Sequence, residues 1–177
     1  MSEQNLIQKL KSGDLSAVDD LFHIYADNAV KTAYLITSDR FLAEDVVQET
    51  FIICLNKINS LQNDLAFKSW FYRILIRTAY KEIKKKKRII PTESIDNDSI
   101  HNDTYFDESS ELYDAIMKLD VKHRTVVILY YYNELSIKEI SRITKSREGT
   151  VKSRLAYARK KLKSMISEME EYQWIAR

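Results

Sequence analysis

The sequence predicts an all-α protein made of two small helical domains joined by an acidic, flexible linker. Three observations predict it. Glycine occurs twice and proline once in 177 residues, while 45% are hydrophobic and 31% charged, so helix breakers are scarce. Apolar residues recur at helical spacing in two blocks, 1–88 and 111–169. Between them, residues 92–111 hold seven acidic side chains, no Lys or Arg and no apolar periodicity. The expected division is a domain over 1–88, a linker over 89–110 that is mobile in the free protein, a domain over 111–169, and a tail over 170–177 that pattern does not place.

The elements are taken in chain order. Val18, Leu21, Phe22, Tyr25, Ala29 and Ala33 form the apolar stripe of a helix that ends near Thr37. Thr37-Ser38-Asp39 supplies capping residues. A second helix buries Ala43, Val46, Val47, Phe51, Cys54, Leu55 and Ile58. Residues 59–64 form a polar loop. A third helix over 66–88 places Trp70, Phe71, Ile74, Leu75 and Ala79 on one face, and Pro91 halts it. In the second domain Leu112, Ile116 and Leu119 share a face, residues 126–132 are densely apolar, and two short periodic segments come next.

Composition narrows the function. The lone Cys54 lies in an apolar run, so no disulfide within the chain is possible and a reducing compartment fits. The N-terminus lacks a basic segment followed by an apolar core, and no apolar run approaches the length of about 20 residues that a membrane span needs. A cytoplasmic protein without membrane insertion is expected. His23, His101 and His123 are scattered, no Gly-rich phosphate loop occurs, and no Cys/His metal spacing exists. Neither catalysis nor a cofactor or metal is expected.

Charge is the strongest functional signal. Residues 68–88 and 142–163 each carry nine basic side chains and one acidic one, Glu82 and Glu148, for a formal +8 apiece. The remaining residues hold ten basic and 24 acidic side chains, so the net +2 hides two cationic segments on a body of −14. Cationic surfaces attract polyanions, and each neutralised phosphate releases condensed counterions.

Ser136-Ile137-Lys138-Glu139 has the form of a capping box, which fixes a helix start. Ile137, Ile140 and Ile143 give this short helix one apolar face, Thr144-Lys145-Ser146 breaks it, and Ser146 is placed to cap the next helix. There Val151, Leu155, Ala158 and Leu162 point inward at spacings of 4, 3 and 4. The outer face carries Ser146, Thr150, Ser153, Tyr157 and Lys160, flanked by Arg147, Lys152, Arg154 and Arg159. This is the pattern of a helix-turn-helix whose second helix enters a major groove. Arg there can bond guanine, Ser and Thr bases or phosphates, and Glu148 a cytosine amino group. Gly149 and Ser153 permit close approach.

In the first domain Asp45, Gln48, Glu49 and Ile52 recur at i, i+3, i+4 and i+7, a stripe opposite the apolar face. An acidic and amide stripe with an exposed isoleucine suits a basic partner helix; a solvated face has the same look. In the third helix Phe67, Trp70, Phe71, Tyr72 and Tyr80 alternate with Lys68, Arg73, Arg77 and Lys81. Aromatics among cations suit single-stranded nucleic acid. Trp70 and Phe71 read as core, and Tyr72, Arg73, Arg77 and Tyr80 as exposed. The run 84–87 adds a basic end.

Asp45-Val46-Val47-Gln48-Glu49-Thr50-Phe51 resembles the Asp-x-x-Gln-Glu-x-Phe signature of sigma factors. The segment Phe67-Lys68-Ser69-Trp70-Phe71-Tyr72-Arg73-Ile74 resembles the one that comes after it in that family. Gly149-Thr150-Val151-Lys152-Ser153-Arg154-Leu155 with Ala158-Arg159-Lys160-Lys161-Leu162 resembles the end of its last domain. With order and spacing agreeing from about residue 10 to 167, the chain resembles a bacterial extracytoplasmic-function (ECF) sigma factor of the sigma-70 family.

The resemblance implies roles that charge could not supply. It makes 1–88 sigma region 2 and 111–169 sigma region 4. Asp45, Gln48, Glu49 and Ile52 would bind the β′ clamp helices of core RNA polymerase, with the β flap as a further contact. Asn59 and Asn63 of the loop, with Lys68, Tyr72, Arg73, Arg77, Tyr80, Lys81 and Lys84, would capture the opened −10 DNA. Ser146, Arg147, Glu148, Thr150, Lys152, Ser153, Arg154, Tyr157 and Arg159 would read duplex −35 DNA. An anti-sigma factor is implied as a further partner. Arg77 stands where many relatives have Asn, and Arg147-Glu148-Gly149 replaces a stretch that often holds Pro. Apart from the resemblance, a stand-alone helix-turn-helix regulator fits the second domain, and a helical module binding RNA or acidic proteins fits the charge. The stripe at Asp45, Gln48 and Glu49 is what such a regulator does not need.

Overall fold

The computed structural model describes residues 2–89 and 111–166. The linker expected over 89–110, apart from Ile89, and the tail over 170–177 lie outside the described residues. Every regular element among the described residues is helical, and the chain forms two compact units, one built on helices between Glu3 and Ile89, the other on helices between Glu111 and Ile166.

The first unit begins with a helix that the apolar stripes did not single out, α1, Glu3–Lys11. Ser2 caps it, accepting from the Asn5 amide at 3.4 Å, and Leu6, Ile7 and Leu10 are its buried face. Its end needs a left-handed residue, which Gly13 supplies at φ 87°. The Asp14 amide then donates to Lys9 O and the Gly13 amide to Leu10 O, so the last turn closes on itself. Helix α2, Ala17–Thr37, buries Leu21, Tyr25, Ala29, Ala33 and Ile36. Phe22, expected on that face, is 44% exposed. Ser38 stops α2 in the left-handed region, and Asp39 opens α3, Arg40–Lys57, by accepting from the Leu42 amide at 3.0 Å. Leu55, expected inside α3, is only half-buried. Two 3-10 turns, Ile58–Ser60 and Asp64–Ala66, lead into α4, Phe67–Ile89.

An aromatic cluster holds these helices together. Phe71 lies 4.9 Å from Tyr25 and 5.2 Å from Phe51 between ring centroids, and Phe67 meets the Tyr25 ring edge-on at 5.3 Å. Each such pair contributes about 0.5–1.5 kcal/mol beyond the area it buries. Trp70 and Phe71 are core, as expected.

The second unit starts with α5, Glu111–Met117, and α6, Val121–Val127, capped by Asp120, which accepts from the Lys122 amide at 2.9 Å. Arg124 is 5% exposed, and its guanidinium donates to the carbonyl of Met117 at 2.9 Å, closing the end of α5. A π-helical turn, Ile128–Tyr132, continues α6 and buries Ile128 and Leu129. The capping box at Ser136 opens α7, Ile137–Thr144, and α8 spans Glu148–Ile166. Ile140, Ile143, Val151, Leu155, Ala158 and Leu162 are buried as the spacing requires, whereas Ile137 is half-exposed.

Candidate nucleic-acid interface

The buried positions of α3 fix what it shows to solvent. Ala43, Val46, Val47, Thr50, Phe51 and Cys54 face inward, which leaves Asp45, Gln48 and Ile52 outward and Glu49 half-buried at the edge. Ile52 is 59% exposed, an apolar side chain framed by polar ones. Glu49 Oε1 accepts from Lys81 Nζ of α4 at 2.9 Å. That bond holds the Lys81 ammonium above its ordinary pKa.

The cationic face of α4 adjoins this stripe. Arg77, Lys81, Lys84, Lys85, Lys86 and Arg88 are exposed, while Lys68, Arg73 and Tyr80 are half-buried. Lys86 Nζ lies 2.7 Å from Asp39 Oδ2, so the basic end of α4 is tied to the N-cap of α3. The buried Nε of Arg73 has no hydrogen-bond acceptor in reach. Tyr72 corrects the sequence reading, which placed it outside. It is 2% exposed, with its ring edge-on to Phe71 at 5.5 Å. Here α4 is covered on more than one side, so Trp70, Phe71, Tyr72, Ile74, Leu75 and Ile76 are all buried, and alternation of aromatics with cations did not mark one exposed face. Tyr72 is therefore core and presents no ring to a base in this structure.

The loop before α4 is less polar than its composition suggests. Leu61 is 5% exposed and pins the segment down, while Asn59, Gln62 and Asn63 point outward. Asn63 Oδ1 accepts from the Leu65 amide at 3.1 Å and caps the second 3-10 turn, and Leu65 is 74% exposed. Lys11 of α1 reaches this loop, donating to Leu61 O at 2.6 Å and to Asp64 Oδ1 at 2.5 Å. No sequence pattern marked Lys11; the signal was α1 itself, through Leu6, Ile7 and Leu10.

In the second unit the turn between α7 and α8 is built on Lys145 at φ 51°, whose amide and that of Ser146 both donate to Ser141 O. Arg147, Glu148, Gly149, Lys152, Ser153 and Tyr157 are exposed along α8, with Ser146, Thr150, Arg154 and Arg159 half-buried. An Arg154 guanidinium nitrogen donates to Ser146 Oγ at 3.0 Å, so this arginine also braces the turn. The Tyr157 ring rests on His123 of α6, 4.5 Å between centroids. A Cβ built on Gly149 would meet nothing within 4 Å, so the fold itself does not demand glycine there. Among the described residues no cluster of His, Cys, Asp and Glu could hold a metal ion, and no helix is long and apolar enough to cross a membrane.

A capped helix-turn-helix in one unit and an acidic stripe beside a cationic helix in the other coincide with two known sequence families. Residues 21–89 match sigma-70 region 2, and residues 109–162 match sigma-70 region 4. The chain is 32% identical over 179 residues to the ECF RNA polymerase sigma factor SigW of Bacillus subtilis, covering 92% of this chain and 96% of that protein. It is also 32% identical over 127 residues to the RNA polymerase sigma factor SigV of the same organism, covering 71% and 76%. Among solved structures, the sigma factor RpoE in complex with the anti-sigma factor NepR from Bartonella quintana is similar at a TM-score of 0.68 and 25% identity, over 90% of this chain and 98% of that one. The chain belongs to the sigma-70 family, among the ECF RNA polymerase sigma factors.

Proposed function

We propose that this sigma factor binds core RNA polymerase through Asp45, Gln48, Glu49 and Ile52, and directs it to promoters that it reads with two separate basic surfaces. The observation that carries the reading is the outward stripe on α3. A DNA-binding regulator acting alone has no use for an acidic stripe with a 59%-exposed isoleucine beside its cationic face, whereas docking on a basic coiled coil uses both.

The two basic surfaces differ in kind. On α4 and the loop before it, Asn59, Asn63, Lys68, Arg73, Arg77, Tyr80, Lys81 and Lys84 offer polar and cationic groups suited to unstacked bases and their phosphates, which is the opened −10 strand. On α8 the exposed Arg147, Glu148, Lys152, Ser153 and Tyr157, with Thr150, Arg154 and Arg159 beside them, present a helix N-terminus and long side chains to duplex −35 DNA. Open space at Gly149 supports close approach of that helix to the groove.

The factor carries no catalysis of its own on this reading; it lowers the cost of melting by holding one strand. It works where RNA polymerase works, in the cytoplasm. Because a similar sigma factor has been solved with an anti-sigma factor, an inhibitor of that kind covering the α3 stripe is the expected control. Reconstitution tests the whole: with core polymerase the wild-type chain should drive initiation at a two-part promoter, and the Glu49→Lys chain should not.

A further inference from the structure

Helix α1 lies before the segment matched to region 2, yet it holds the loop assigned to the −10 strand. We propose that Lys11 is a positioning residue for −10 recognition, acting through the backbone of that loop; this rests on the assignment of the loop to opened −10 DNA.

Helix α1 is itself firmly fixed. Leu6, Ile7 and Leu10 are 2%, 0% and 5% exposed. At its first turn Glu3 Oε2 accepts from Tyr25 OH at 2.8 Å. At its last turn Lys11 Nζ takes both Leu61 O and Asp64 Oδ1. The ammonium thus grips the two residues that flank Gln62 and Asn63, both exposed. The loop has little regular bonding of its own: Leu61 N donates to Ile58 O and Ala66 N to Asn63 O, each at 3.0 Å. Beyond the buried Leu61 and the cap by Asn63 Oδ1, one charged group from outside the loop ties its two ends. Lys11 and Asp64 are only 25% and 21% exposed, so this pair is screened less than a surface pair. A strand captured by the loop would meet Gln62, Asn63 and Leu65 in the arrangement that Lys11 imposes.

A direct attraction between Lys11 and phosphate would give a different result at Asp64. Removing that carboxylate would then strengthen DNA binding, whereas removing a brace relaxes selectivity. The experiment uses the full chain bound to core RNA polymerase, with a promoter pool randomised across the −10 region and carrying the upstream sequence that the wild-type holoenzyme selects. Lys11→Met and Asp64→Ala should each lower the preference for the favoured −10 sequence about tenfold, within the range of one mismatched base pair. The double variant should lose no more than either single one. Core affinity and upstream selectivity should stay at the wild-type level, which also certifies the fold. If Lys11→Met fails to bind core, Asp64→Ala carries the test alone. Wild-type −10 selectivity in these variants, or tighter DNA binding with selectivity intact in Asp64→Ala, overturns the proposal. Asn63→Ala separates the brace from the loop it holds. If it shifts −10 preference while Lys11→Met does not, only the brace is wrong. If it leaves the preference unchanged, the assignment of the loop is wrong and the brace falls with it.

Discussion

Lys81 Nζ donates to Glu49 Oε1 across 2.9 Å, so the stripe assigned to polymerase and the helix assigned to melted DNA share an ion pair. The pair is exposed, and such contacts contribute little to stability. Glu49→Lys should therefore abolish core binding while leaving the unfolding midpoint nearly unchanged. It also sets two cations side by side, so Glu49→Gln serves as the milder control, with weakened rather than abolished binding. Fluorescence anisotropy of labelled chain against core polymerase reads both. Wild-type affinity in Glu49→Lys would remove the stripe from the interface.

Gly149 separates stability from binding. Nothing occupies the space that its Cβ would fill, and glycine in a helix costs about 0.5–1 kcal/mol relative to alanine. Gly149→Ala should leave the second unit as stable or slightly more stable, and it should weaken binding to −35 duplex. Thermal melts and a duplex titration check the two halves. Loss of stability would mean that the fold, not the groove, needs the glycine.

On α8, Arg154→Ala should weaken recognition of the preferred −35 duplex by about 1–3 kcal/mol, the scale of one good base contact. Lys152→Ala should weaken all duplexes alike and reduce the salt slope by about 1, as a phosphate contact does. Competition titrations at several salt concentrations distinguish the two patterns.

Asp39 links the fold to pH. Partial burial, the largest influence, pushes its carboxyl up, but Lys86 and the amides of Leu42 and Phe41 together hold it below its ordinary 3.8. A lowered folded pKa means that its contribution is present above the unfolded value and lost as pH falls through the folded one. Asp39→Asn keeps a good cap but cannot ionise, so the stability gap between wild type and variant should close as pH drops below about 3.8. Denaturant titrations across that range check the sign. Asp39→Ala should cost about 1 kcal/mol of cap at neutral pH.

Burial pushes the Cys54 thiol up to about 12. The thiolate is the reactive form, so the folded chain should resist thiol reagents at neutral pH and react on unfolding. Rapid labelling under native conditions would contradict the packing of α3.

What could be read from sequence depended on whether a residue's role was local. The α3 stripe comes from its spacing alone, because one buried face fixes the other. The capping box at Ser136 and the inward set Val151, Leu155, Ala158 and Leu162 are likewise written within one turn or one helix. Tyr72 was misplaced because its burial depends on helices remote in sequence, which cover α4 from two sides near its start. Lys11 was invisible for the same reason: its partners lie some fifty residues away, at Leu61 and Asp64. The π turn at Ile128–Tyr132 sits in an apolar run that gave no sign of an extra residue per turn. Arg124 was not foreseen as a buried cap for α5, because a lone arginine reads as surface until the carbonyl it closes is known.

The most direct test of the central claim is run-off transcription with purified core RNA polymerase on a promoter library. The predicted transcripts depend on this chain and start downstream of two sequence elements held at a fixed spacing, with none from the Glu49→Lys chain. Duplex DNA binding by the chain alone, with no chain-dependent transcript from any template, would contradict the claim and leave a stand-alone helix-turn-helix regulator instead.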